Sequence, residues 1–406
     1  MKFNLNKFLS SVSNALDAVE IDLFGVPTNH SKRIAYISAR IGYELMLKPE
    51  EIFDLAALSL MHDNGATMKI FEDNAKHTLR EKMLITEKIV DHCTIGEANI
   101  NNFPFITKPR SVIRFHHENY DGSGFFGLHS EEIPLFSQII RLADNLDLSF
   151  KMNHASMDTT FDYVAMYRNI YFSPAIADTF FELGKNKEFW DSLHDDKIDV
   201  ALRDIIPNFT HELNYKEVRS ITIVLSKIID AKSIFTQKHS SGLSRRMLKM
   251  AKYYCFDTTT KYKLLIATDL HDIGKLAISN KILDKSGPLT YLEYEEIKKH
   301  PIISKHCLKG LNGFEEIATW IGNHHEKLDG SGYPENLTGN SLDFNSRLIA
   351  CLDIYQALRE KRPYRKAMSH LDTIKILFEM VNTGKLDGKI VEDIDFVFCS
   401  KKIDLI

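Results

Sequence analysis

The 406-residue chain is poor in cysteine: Cys93, Cys255, Cys307, Cys351 and Cys399 stand far apart, without a C-x-x-C pair. An odd, scattered set argues against a disulfide framework or a thiolate zinc site and fits a reducing cytosol. Long apolar runs are missing as well. No stretch approaches the roughly 18 to 20 residues that a membrane span requires, and MKFNLNKFLSSVSNAL at the N-terminus lacks the apolar core and cleavage site of a signal peptide. Nor does charge of one sign dominate. A net charge of −4 gives no general attraction to nucleic acid polymers or to anionic membranes. Strand signals are few: ITIVL at 221–225 is β-branched, but NYKEVRS and SKIIDAKS on either side extend a helical pattern through it. What remains is a soluble cytoplasmic protein whose 44% hydrophobic content can fill two cores.

Helical periodicity dominates. In LSRRMLKMAKYYC, Leu243, Met247, Met250, Ala251 and Tyr254 recur at three- and four-residue steps, which leaves Arg245, Arg246, Lys249 and Lys252 for solvent. The segment TYLEYEEIKKHPIISKHCLKGL repeats the pattern, with Thr290 as its N-cap. The fold class is therefore all-α.

A long-period repeat is the most informative feature. His30, His62-Asp63 and Asp144 recur 209 residues later as His239, His271-Asp272 and Asp353, while His92 and His116-His117 recur 208 later as His300 and His324-His325. Five landmarks held to within one residue mark a tandem duplication of one helical module. Pro207, Asn208 and Asn214 interrupt the apolar periodicity within IIPNFTHELNYK, and the expected domains are 1–208 and 209–406. No low-complexity linker separates them, so they are expected to pack against each other.

In the second module, His239, His271, Asp272, His300, His324, His325 and Asp353 are the side chains suited to binding metal. Imidazole with carboxylate suits zinc, iron or manganese. Seven donors exceed the needs of one tetrahedral ion and suit two ions of higher coordination, provided one carboxylate bridges them. Such a pair lowers the pKa of water from about 16 to about 7 and clamps the attacking and leaving oxygens of a phosphoryl transfer. His306 and His370 have no repeat partner and are expected to be structural or surface residues.

LHDIGKLAI, KSGPLTYLEYEEIKKHP, NHHEKLDGSGYP and CLDIYQALREKRPYRKAMS together resemble the HD-GYP subgroup of the HD phosphohydrolase superfamily. The resemblance covers nearly the whole second half. It implies two tandem helical bundles of HD type, the C-terminal one a phosphodiesterase that opens cyclic di-GMP, or 3′,3′-cyclic GMP-AMP as the alternative, to the linear dinucleotide. A non-catalytic cyclic dinucleotide receptor is a further alternative. All seven side chains become metal ligands, with iron or manganese as the ions and Asp272 as the bridge. Lys275 is implied to touch the scissile phosphate, where a charge-assisted hydrogen bond contributes about 1.5 to 3 kcal/mol. Arg362 and Arg365 match the subgroup's substrate-contacting pair. In DGSGYP, Gly330 and Gly332 are expected to supply unusual backbone angles in a tight turn.

Two departures bear on the expectation. Phe235 stands where some members place a glutamate ligand for a third metal, so two ions are expected. Gln356 stands where the subgroup usually has an acid, three residues after Asp353.

The first module retains His30, His62, Asp63, His92, His116, His117 and Asp144, but Ala66 replaces Lys275, Phe125 and Phe126 replace the Tyr-Pro of GYP, and no counterpart of the two arginines follows Asp144. It resembles a degenerate HD-GYP-like domain, structural or regulatory. Whether its own set holds metal, and whether the protein forms a homodimer, the sequence leaves open.

Overall fold

Apolar residues spaced at three and four positions become helices throughout the described residues. The single sheet among the described residues has two strands, Lys2–Phe3 paired antiparallel with His211–Glu212. The computed structural model describes residues 1–24, 28–66, 90–152, 156–233, 239–361 and 366–399. Phe235, Arg362 and Arg365 lie outside the described residues. Contacts divide the chain into two compact units, Lys2–Glu212 and Leu213–Ile406, with Met1 grouped with the second. That division falls a few residues beyond the break after residue 208 read from the sequence.

In the first unit the helix His30–Glu44 is buried along most of its length. It packs against the helices Pro49–Ser59, Leu135–Asp147, Pro174–Leu183 and Ile198–Ile205. Two of its buried residues are cations. The Lys32 ammonium meets Asp199 at 2.5 Å, and the fully buried Arg33 forks onto Asp147 and Asp195. Removing one partner of such a pair strands the other charge, which is the costly event.

The second unit is built around three helices. Tyr215–Ala231, capped by Asn214 in a reciprocal pair with Glu217, runs along Thr258–Leu270. ITIVL lies inside the first of these, as helix. Thr258–Leu270 starts at Asp257, whose carboxylate accepts from the Thr259 and Thr260 amides. His239–Tyr253 packs against both Thr258–Leu270 and Phe344–Arg359. Leu243, Met247, Met250 and Ala251 are buried as the periodicity predicts, and Tyr254 is half-buried.

Arg246 departs from the expected solvent face. It donates to Gln356 Oε1, and its guanidinium carbon sits 5.3 Å from the centre of the Tyr355 ring. The cause lies one turn earlier, at Gly242, where a Cβ would come within 2.1 Å of Gln356 Nε2. The amide therefore lies over a bare backbone, within reach of Arg246.

Thr290 caps Tyr291–Ile297, accepting from the Glu293 amide while Glu293 accepts from the Thr290 amide at 2.7 Å. The expected single pattern breaks there: His300–Cys307 is a separate helix with Pro301 in its first turn, a position that needs no amide proton. His370 is structural, bonded to the Tyr355 hydroxyl and to Asp395, and His306 is exposed.

Candidate functional site

Helix ends present most of the site. In the second unit His239 opens its helix, His271 and Asp272 follow the end of Thr258–Leu270, and His300 opens His300–Cys307. His324 and His325 follow Glu315–Gly322, and Asp353 lies within Phe344–Arg359. Gly274 controls how closely these pieces approach. A Cβ there would sit 2.1 Å from the His300 carbonyl oxygen, so only glycine lets the His-Asp turn lie against the third histidine. A Cβ at Gly65 would likewise sit 2.1 Å from the His92 carbonyl oxygen.

The structure brings all seven side chains together. Three groups present ligand atoms within 4.8 Å of one another: His239, His271 and Asp353; His271, Asp272 and His324; and His300, His324 and His325. Asp272 faces both ways, with Oδ2 3.2 Å from His271 Nε2 and Oδ1 3.3 Å from His300 Nε2 and 3.8 Å from His324 Nε2.

Ring orientation shows what such a cluster requires. His271, His300 and His324 each turn Nδ1 to the carbonyl three residues earlier, Thr268, Ile297 and Ile321, at 3.0, 2.7 and 2.5 Å. An imidazole that donates from Nδ1 keeps a lone pair on Nε2. His300 Nε2 and His324 Nε2 nevertheless face each other at 3.2 Å. His271 Nε2 and Asp272 Oδ1 are buried atoms without a hydrogen-bond partner. Acceptors that converge on acceptors are stable only around a cation, so the residues fit metal on their own geometry.

The protonation states of His300, His324 and the two aspartates agree with this, while His239 departs from it. Burial, reinforced by His271 and His300, pushes His324 down to about 3, and burial lowers His300 as well. Burial would raise Asp272 and Asp353, but His271 and Lys275 around the first, and His239 against the second, hold both carboxylates far below their usual range. For His239 burial is outweighed by Asp353 and Glu360, which lift the ring to about 10.

Lys275 sits on the short helical turn Ile273–Ala277, its Nζ 2.6 Å from Asp272 Oδ2 and its side chain 22% exposed. The DGSGYP turn differs from expectation at one glycine. Gly330 has φ +79°, whereas Gly332 is required for space: a Cβ there would meet the Lys327 amide nitrogen at 2.4 Å. The buried Glu326 holds this loop, accepting from the Glu335 and Leu337 amides. The Tyr333–Pro334 peptide is cis, and the Tyr333 ring lies 4.9 Å from that of His325.

The acid missing at Gln356 is supplied one turn later, by a residue the sequence reasoning passed over. Glu360 lies 3.1 Å from His239 Nδ1 and accepts from Gln356 Nε2. The spacing of Gln356 and Glu360 on one helix face was the available signal.

The first unit assembles the same set. His30, His62 and Asp144 form one group, and Asp63 Oδ1 lies 3.5 Å from His92 Nε2 and 3.2 Å from His116 Nε2. His62 and His116 turn Nδ1 to the Ser59 and Ile113 carbonyls, and His62 Nε2 is buried without a hydrogen-bond partner. Ala66, buried, stands where Lys275 stands. Two additions are specific to this unit. Arg141 lies 3.3 Å from His117 Nδ1 and over the Tyr171 ring. Cys93 joins His92, His116 and His117 in one group, a neighbourhood that the scattered positions of the cysteines along the chain did not point to. Spacing arguments look for thiols paired along the chain, and here the partners are histidines brought in by the fold. Burial would raise the Cys93 thiol, but His116 and His92 bring it to about 7.

A family model described as HD domain matches residues 22–168 and again 223–390. The chain belongs to the HD domain family. Within this family, 3′3′-cGAMP-specific phosphodiesterase 1 of Vibrio cholerae serotype O1 is 29% identical over 400 residues, covering 96% of this chain and 90% of that protein. A cyclic di-GMP phosphodiesterase of the same organism is 33% identical over 44% of this chain and 39% of its own length. The crystal structure of the V. cholerae cyclic GMP-AMP-specific phosphodiesterase V-cGAP3 shares the fold, with a TM-score of 0.68 at 24% identity over 98% of each chain. Among the described residues of this HD domain protein, no helix is long and apolar enough to cross a membrane.

Proposed function

We propose that the C-terminal module is a metal-dependent phosphodiesterase that opens a cyclic dinucleotide to the linear product. The observation that carries this reading is the convergence of acceptors on the unpartnered Asp272 Oδ1, with His300 Nε2 and His324 Nε2 facing each other at 3.2 Å. His239, His271, Asp272 and Asp353 would hold one divalent ion and Asp272, His300, His324 and His325 a second, with Asp272 common to both sets. Donors of this kind, without thiolate, suit iron or manganese. When bound, the ions lower the pKa of water to about 7 and polarise the phosphoryl oxygens.

The chain contributes position and charge. The Thr268, Ile297 and Ile321 carbonyls keep the ring protons on Nδ1, which directs the Nε2 lone pairs inward. Lys275, beside Asp272, brings a cation to the scissile phosphate, where charge grows in the transition state. Arg362 and Arg365 are assigned to the second phosphate. Lacking the lysine, the N-terminal module takes a regulatory or structural part.

For the substrate, 3′,3′-cyclic GMP-AMP stands ahead of cyclic di-GMP. The relative matching along both modules is named for the former, while the cyclic di-GMP relative matches 44% of this chain. A second messenger of this kind places the enzyme in the cytoplasm. The test is to purify the full chain with iron or manganese, offer each cyclic dinucleotide separately and resolve the products by chromatography. Binding without turnover of either would make the protein a receptor and end the enzyme reading.

A further inference from the structure

We infer that the N-terminal module houses a zinc centre of its own kind, closed by the thiolate of Cys93. This does not depend on C-terminal catalysis. Cys93 follows His92 directly, and at the corresponding place after His300 the C-terminal module has Pro301, which carries no donor. Duplication therefore supplied the histidines, and a change at one position supplied sulfur.

A buried cysteine is ordinarily a small core residue, but this one is oriented towards the site. Its Sγ lies 3.4 Å from His92 Nε2, the nitrogen that also faces Asp63 Oδ1 at 3.5 Å. One ligand atom from each of His92, Cys93, His116 and His117 falls within 4.8 Å of the others. Tetrahedral zinc, with bonds of about 2.0 to 2.3 Å, needs donors about 3.3 to 3.8 Å apart, so small side-chain adjustments close the site. His92, Cys93, His116 and His117 are its four ligands, the one group in which the sulfur and three imidazoles converge among the described residues. On binding, the thiol proton passes to solvent and sulfur bonds the metal.

Two consequences follow from the chemistry. Thiolate with imidazole selects zinc over the iron or manganese suited to the all-nitrogen-and-oxygen set of the other module. Four protein donors also leave no open position for water, the arrangement of a structural rather than a hydrolytic zinc site. The substitution that changes the metal thus accounts for a module that keeps its histidines while lacking the counterpart of Lys275.

The experiment uses the full chain carrying His271→Ala and Asp272→Ala, which removes the other centre, stripped with chelator and titrated anaerobically with cobalt(II). The expected result is a sulfur-to-cobalt charge-transfer band in the near-ultraviolet, abolished when zinc is added. Cys93→Ser loses the band and weakens zinc binding by at least about a hundredfold, while Cys255→Ser and Cys399→Ser keep it. Cobalt binding with no such band, or a band that survives Cys93→Ser, overturns the proposal. If Cys93→Ser does not fold, X-ray absorption of the zinc-loaded parent decides. One sulfur neighbour at about 2.3 Å supports the centre, and a shell of nitrogen and oxygen alone overturns it.

Discussion

In the N-terminal module the first histidine, His30, turns Nδ1 to Asp147 at 2.7 Å, and the same carboxylate takes the buried Arg33. In the C-terminal module the positions of Arg33 and Asp147 are Gly242 and Gln356, and His239 turns Nδ1 to Glu360 instead, at 3.1 Å. Both modules thus keep an acid behind the ring, but the residue supplying it has moved one helical turn. The side chains differ in exposure: Asp147 is fully buried, while Glu360 is 16% exposed. One acid carries the fold and the histidine together. The other holds the histidine together with the Gln356 amide, which in turn meets Arg246.

This contrast can be broken at several points, in descending order of effect. Asp272→Ala should lower turnover of the cyclic dinucleotide roughly a thousandfold or more, since the bridging carboxylate serves both proposed ions. Asp63→Ala should change turnover by less than about tenfold, and chromatographic assay of both variants decides. A folded Asp63→Ala protein as inactive as Asp272→Ala would show that the first module is catalytic after all. Asp147→Ala should destabilise the first module by about 3 to 5 kcal/mol by leaving Arg33 buried without its main partner. Glu360→Gln should cost less, about 1 to 2 kcal/mol, because a neutral acceptor remains beside His239, both measured by chemical denaturation of the metal-free protein. Equal losses would remove the distinction between the two acids.

Lys275→Ala should reduce kcat/KM by about 10- to 100-fold, the rate equivalent of one charge-assisted bond. An unchanged value would take Lys275 out of contact with phosphate. Smallest is the expected effect of Glu360→Gln on metal binding, a loss of about tenfold in affinity from the loosened His239 ring. Competition with a chelating dye measures it, and no change would mean that Glu360 does not steer the ring.

The duplication made much of the site visible before any fold was known, because side chains that meet in space keep their spacing in both copies. His239, His271, Asp272 and Asp353 could be picked out by subtraction alone. Other features depended on three-dimensional neighbours. Glu360 matters because Gln356 lies over Gly242, and Arg246 is drawn from solvent for the same reason. Gly332 is a matter of clearance against Lys327 rather than of dihedral angle. Cys93 becomes interesting only once His116 and His117 arrive from a distant segment. The helical fold class was legible throughout, since alternation at two-residue steps is nearly absent.

The contact of Gly274 with the His300 carbonyl, matched by Gly65 with that of His92, has a consequence for the history of the duplicate. Any larger residue would force the backbone apart, so the distance between the His-Asp turn and the third histidine is inherited through glycine and not through the reactive groups. Mutation can exchange a proline for a cysteine, or a lysine for an alanine, without disturbing that spacing. A copy built on such a frame can exchange its reactive side chains while the frame itself stays in place.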